Sequence, residues 1–102
     1  MTIITMDWRR LELKAKGHAK AGEHGKDLVC AAISALVQTL AQYLEDTNAA
    51  GDYRHESGDV AIRAAPGLLK RRRIRLAFRQ TMTGLRVLAN QYPGNVWIKE
   101  DR

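Results

Sequence analysis

The chain's one cysteine, Cys30, follows a stretch rich in glycine and histidine: Gly17-His18-Ala19-Lys20-Ala21-Gly22-Glu23-His24-Gly25-Lys26-Asp27-Leu28-Val29-Cys30. Asp27 is suited to cap a helix, because its carboxylate can accept hydrogen bonds from first-turn N–H groups that have no partner inside the helix. Cys30 then falls at about the third helical position, where those N–H groups and the positive end of the helix dipole favour an anion. Here the anion is the thiolate, the nucleophilic form of cysteine. A histidine within reach can take the thiol proton and later return it to a leaving group, which is the minimal apparatus for acyl transfer. His18 and His24 both lie close enough in sequence to fold over the helix start. Gly17, Gly22 and Gly25 admit backbone angles that side chains avoid, and suit a loop over residues 19–26 that opens and closes on a bound chain. Backbone N–H groups at the helix start can serve as an oxyanion hole.

Each of these residues has a plainer role beside the chemical one. A lone cysteine in a helix is commonly a small buried hydrophobe. His18, His24, Asp27 and Cys30 sit at short intervals and so raise a metal site, but the paired spacings of zinc sites, C-x-x-C or H-x-x-x-H, are missing. The expectation is no metal and no cofactor. Ser34, one turn beyond Cys30, can bond to its own helix backbone, and Asp27 is a cap before it is anything else.

Residues 2–6 (Thr2-Ile3-Ile4-Thr5-Met6) read as a strand and Asp7-Trp8 as a turn. Residues 9–16 then alternate, with Leu11, Leu13 and Ala15 on one face and Arg10, Glu12, Lys14 and Lys16 on the other. This hairpin delivers His18 to the end of a strand, a rigid place from which to aim a side chain. From Asp27 to about Asp46 the pattern is helical, since Val29, Ile33, Leu36, Val37, Leu40, Tyr43 and Leu44 recur at spacings of three and four. Cys30 and Ser34 lie beside that stripe. Ala31, Ala32 and Ala35 keep another face slim, which reflects helix propensity first and a surface for a second subunit after it.

The stretch from Thr47 to Asp52 reads as a loop, and Tyr53 to His55 and Val60 to Ala64 as a second hairpin. Pro66-Gly67 ends it. A second helix is expected from about Leu68 to Gln91, burying Ile74, Phe78, Met82, Leu85 and Ala89, with Arg72, Arg75, Arg79 and Arg86 near one another on a different face. Pro93-Gly94 stops that helix and Val96-Trp97-Ile98 makes a closing strand. The order β-β-α-β-β-α-β predicts an α+β fold of two layers, two helices on a mostly antiparallel sheet.

A chain of 102 residues is one small domain, residues 1–102, with a modest core, so self-association is no surprise. Its 45% hydrophobic and 27% charged residues exclude a disordered chain. The net charge of +6 favours contact with nucleic acid, ribosomes or acidic surfaces. One cysteine cannot form an internal disulfide, which suits a reducing compartment. Neither a signal peptide nor an apolar run long enough to span a membrane is read, so the expected location is cytoplasmic, with no membrane contact. The run Lys70-Arg71-Arg72-Arg73-Ile74-Arg75 is either a solvated helix face or a phosphate-contacting patch, and no aromatic residues are interleaved with it to read bases. A basic RNA- or ribosome-binding module without catalytic activity is therefore the alternative function. It leaves the glycine, histidine and cysteine stretch unexplained.

The run G-H-A-x-x-G-x-x-G-x-D-L-V-C-A-A-I-S, from Gly17 to Ser34, resembles the signature of the ribosomal-processing cysteine protease family, Prp. That resemblance implies that His18 and Cys30 form a catalytic dyad, and it matches Asp27 and Ser34 to an aspartate and a serine of the family's pattern. Looser similarity extends to Gly84-Leu85 and Tyr92-Pro93. It also implies a small cytoplasmic homodimer that removes an N-terminal extension from a large-subunit ribosomal protein; related phage or prophage members are implied to act on phage structural proteins. The basic run at Lys70 to Arg75 and the loop Asp46 to Asp52 depart from the family pattern. Contact with ribosomal RNA through Arg72, Arg75 and Arg79 is the expectation those arginines raise.

Overall fold

Alternation of apolar and polar residues builds the first hairpin, strands β1 (Thr2–Asp7) and β2 (Glu12–Lys16). The computed structural model of the chain describes residues 1–17 and 28–102. Helix α1 (Leu28–Asp46) follows, then strands β3 (Ala50–Glu56) and β4 (Asp59–Ala64). A 3-10 turn (Pro66–Leu68), helix α2 (Arg72–Gln91) and strand β5 (Val96–Asp101) complete the order. The five strands lie in the order β3-β4-β2-β1-β5. Neighbours pair antiparallel except β1 with β5, which run parallel, Ile4 beside Ile98. The fold is thus α+β, two helices on a mixed, mostly antiparallel sheet.

Period-two alternation puts Ile4, Met6, Leu13, Ala15, Ile62, Ala64 and Val96 on one face, where the helices cover them. Helix α1 adds Val29, Ile33, Val37, Leu40 and Leu44, and α2 adds Ile74, Phe78, Met82 and Leu85. These belong to one contiguous hydrophobic cluster. The helices approach closely at Gly84, where an added Cβ would stand 2.9 Å from Leu36 Cδ2. Leu36 and Tyr43, expected in the buried stripe, are only partly buried.

Several boundaries differ from the sequence expectation. The first hairpin's return strand starts at Glu12 rather than Arg9. Asp7 Oδ1 accepts from the backbone N–H of Arg9 at 3.0 Å and Arg10 at 3.1 Å, which folds the chain into a turn. Leu11 closes that turn at φ +45° while wholly buried. Strand β3 starts at Ala50, so the loop after α1 shrinks to residues 47–49. A Schellman motif makes this possible. Asn48 is left-handed at φ +55°, its N–H donates to Glu45 O at 3.2 Å, and the Ala49 N–H donates to Leu44 O at 2.8 Å.

Helix α2 starts at Arg72, not Leu68. In one continuous helix Leu69 would lie about 140° around from Ile74, away from the core. Interrupting the helix lets both Leu68 and Leu69 pack against it. A further correction concerns α1, whose 19 residues are long and apolar enough, by length and composition, to cross a membrane. Its apolar stripe nevertheless lies in the core of this fold, and Ser34, Gln38, Thr39, Gln42 and Glu45 occupy exposed positions.

Candidate active site

Strand β2 carries the chain to Gly17, whose N–H donates to Gly58 O at 2.8 Å and whose carbonyl accepts from Thr2 Oγ1 at 3.4 Å. Its φ of +92° is open to glycine and strained for other residues, and a Cβ there would run into the Met1 carbonyl. The strand end that leads into residue 18 is thereby fixed from both sides. The chain is described again from Leu28, and Cys30 is the third residue of α1 as described (Leu28–Asp46); the cap expected at Asp27 lies outside the described residues. Cys30 is half-buried and packs against the hydrophobic cluster. Ser34 follows one turn later and is exposed.

Position on the helix accounts for what Cys30 can do. The first four N–H groups of a helix lack intrahelical acceptors, so the third residue sits among donors and at the positive end of the dipole. Cys30 is neither sealed in the core nor fully exposed, and the core beneath it fixes the helix. His18, Gly22, His24, Gly25 and Asp27, with the loop 19–26, lie outside the described residues. The structure therefore places Gly17, Cys30 and Ser34 of the expected site, and of the four residues weighed for a metal it places Cys30 alone.

The expected arginine face is placed too. Arg75, Arg79 and Arg86 line one open cleft beside α2, whereas Arg72 is exposed and is not among the cleft's lining residues. Trp8, Arg9 and Arg102, which the sequence reading did not connect with them, line it as well. Those three come from the ends of β1 and β5, brought together by the parallel pairing in which Asp7 stands beside Asp101. Nothing in the local sequence announces that pairing.

A helix-borne cysteine just past the end of the first hairpin, on an α+β scaffold, defines a class. Residues 1–97 match the family model of cysteine protease Prp, and the chain belongs to that family. Among individual relatives, the ribosomal processing cysteine protease Prp of Mycoplasma genitalium is 30% identical over 89 residues, 87% of each chain. The essential ribosomal processing protease Prp of S. aureus, in complex with a covalently linked product peptide, superimposes with a TM-score of 0.87 at 19% identity, covering 99% of this chain and 100% of that one. The S. aureus protein with a substrate peptide gives 0.77 at 20% identity, over 98% and 97% of the two chains. SMU.848 from Streptococcus mutans gives 0.72 at 25%, over 97% and 90%. The S. aureus likenesses carry the fold, and the family assignment rests on the family model and the Mycoplasma relative.

Proposed function

We propose that this chain is a peptide hydrolase in which Cys30 is the nucleophile and His18 the general base. It removes a short N-terminal extension from a ribosomal large-subunit protein or a related phage structural protein. The observation that carries the reading is Cys30 as third residue of α1, in a chain that belongs to a cysteine protease family. The thiolate attacks the scissile carbonyl, N–H groups at the helix start stabilise the oxyanion, and His18 returns the proton to the departing amine. Water then attacks the thioester carbonyl as His18 takes its proton, the C–S bond breaks, and the carboxylic acid leaves with Cys30 and His18 restored. Gly17, held on both sides, gives His18 a rigid start, and Asp27 caps the helix. Ser34 supports the exposed edge of α1 beyond the thiol.

The first test needs no substrate. Iodoacetamide should alkylate Cys30 readily at neutral pH and about tenfold more slowly in His18→Ala, because a cysteine without a base beside it is only a few per cent thiolate there. An unchanged rate in His18→Ala, with slowing in His24→Ala, would transfer the base role to His24. Cys30→Ala should abolish processing of an extended ribosomal protein while the circular dichroism spectrum stays native; retained processing would sink the assignment.

We further propose that the enzyme works as a cytoplasmic homodimer. The small size of the chain and the exposed edge strand β3, with all seven residues exposed, support self-association. Sedimentation equilibrium at two concentrations should give twice the chain mass; a monomer at both would remove this part of the reading.

A further inference from the structure

At the end of the sheet away from Gly17, the last residues of β1 and β5 meet α2 around an open cleft of about 540 Å³. Its lining is Trp8, Arg9, Arg75, Arg79, Arg86 and Arg102. Five guanidinium groups on one cleft repel one another, so the arrangement needs both a holder and a purpose.

Trp8 and Glu100 are the holder. Arg75 Nη1 donates to Trp8 O at 3.3 Å and Leu69 O at 3.1 Å, and its guanidinium lies 6.0 Å from the Trp8 ring centroid. The Arg102 guanidinium lies 5.9 Å from the same ring. The aromatic ring thus seats two cations through its negative faces. Trp8 Nε1 in turn donates to Glu100 Oε1 at 2.9 Å, and Arg86 Nη1 donates to Glu100 Oε2 at 2.9 Å. Glu100 offsets the charge of Arg86. Arg9 and Arg79 are exposed and make no ion pair among the described residues, in contrast to Arg10 with Glu12, Arg54 with Asp59 and Arg63 with Asp52. Uncompensated positive charge therefore stands on a concave surface at this cleft, whereas the equally exposed cations Lys70, Arg71, Arg72 and Arg73 do not line it.

The chemistry of the lining selects the occupant. Guanidinium forks match phosphate oxygens in pairs. From Arg75 to Arg86 the row along α2 spans about 16 Å at 1.5 Å per residue, room for a run of phosphates and not one alone. A protein partner would seek an apolar anchor at the centre of its interface, but the one apolar side chain here, Trp8, is 8% exposed and lies beneath guanidiniums. The same cover denies bases a stacking platform, which leaves the backbone as the part that is gripped.

We infer that this cleft binds the phosphodiester backbone of a nucleic acid, without sequence preference, at the end of the sheet opposite Cys30. The proposal stands apart from the protease reading, since it concerns binding and uses none of the residues assigned to hydrolysis.

Fluorescence anisotropy with a labelled oligouridylate tests it on the full chain. Binding should weaken with salt at a log–log slope of about −3, the value for roughly four phosphates neutralised on a single strand. Arg79→Glu should lower affinity by at least about tenfold and flatten that slope, because one contact is lost and one repulsion gained. Lys16→Glu, at the Gly17 end of β2 beside Ile3, carries the same charge change about 17 Å of strand away from Trp8 and should leave affinity within about twofold at roughly 0.1 M salt, where the Debye length is about 10 Å. Both positions are exposed, so the variants should fold, and circular dichroism checks it. Equal losses in the two variants would reduce the effect to net charge and overturn the proposal. Absence of binding at low salt would also overturn it, as would polyglutamate binding as tightly as the oligonucleotide, which would make the cleft a site for acidic protein.

Discussion

Gly17 is where the geometry of the active site is most exposed to a single atom. Its φ of +92° and the Met1 carbonyl beside it both oppose a side chain. That carbonyl is backbone leading straight into Thr2, which is buried and whose N–H donates to Asn95 O at 2.8 Å, so a methyl group meets both an unyielding neighbour and the backbone angle. Gly17→Ala should therefore lose at least about 1–2 kcal/mol, the cost of a left-handed conformation for an L-residue. In a domain of this size that reads as a fall in Tm of roughly 4–16 °C in calorimetry. With His18 as the base proposed above, Cys30 alkylation in the surviving folded protein should slow along with it. A variant that melts lower but alkylates at the wild-type rate would show that Gly17 serves stability without aiming the base. The motif from Gly17 to Ser34 was legible in sequence because it combines residue types that no single element needs together. Trp8 was not legible in the same way. It was read as part of a turn, and its burial and its two stacked guanidiniums arise from neighbours that are distant in the chain.

Elements were legible to the extent that local patterns decide them. The stripe Ile74, Phe78, Met82 and Leu85 is wholly buried, as its spacing required, because period 3.6 leaves few other ways to hide four large side chains. Ends were harder, because tertiary packing sets them. Asn48 could have marked the end of α1, since asparagine tolerates the left-handed angle of a Schellman cap, yet Asn in a Gly-containing segment reads equally well as loop. The late start of α2 depends on Leu68 and Leu69 finding the core, which no propensity foretells. The parallel pairing of β1 with β5 joins residues 2–7 to 96–101 and is the least local feature of the fold. It also brings Trp8, Arg9 and Arg102 to the arginine face that the helix period had already placed, so the part of the cleft missed in sequence and the pairing missed in sequence are one omission. Strand β3 was cut short in the reading for a different reason. Its residues Ala50, Gly51 and Asp52 have poor strand propensity, and pairing with β4 across a register shift between Ala50 and Tyr53 overrides it.

Across the whole molecule the two ends of the sheet divide the work. The β1 strand, about 20 Å long at its usual rise, separates the Gly17 end from the Trp8 end. Peptide hydrolysis and phosphate binding, as proposed, therefore lie at opposite ends of the sheet, where neither occupies the other's surface. Occupancy of the cleft should also register in global stability. A ligand that binds only the folded state at ten times its Kd adds about 1.4 kcal/mol, equivalent to roughly 5–10 °C in Tm for a domain of this size. The unfolded chain keeps the same charges and binds polyanions as well, so the shift should fall short of that ceiling. What remains above the unfolded chain's share comes from the guanidiniums being held together by Trp8 and Glu100. The expected result, with the Kd fixed beforehand by anisotropy, is a rise of several degrees with oligouridylate for the wild-type chain and for Lys16→Glu, and a much smaller one for Arg79→Glu. A rise of the same size in all three chains would mean that charge alone binds the polymer and that folding the arginines onto one cleft adds nothing.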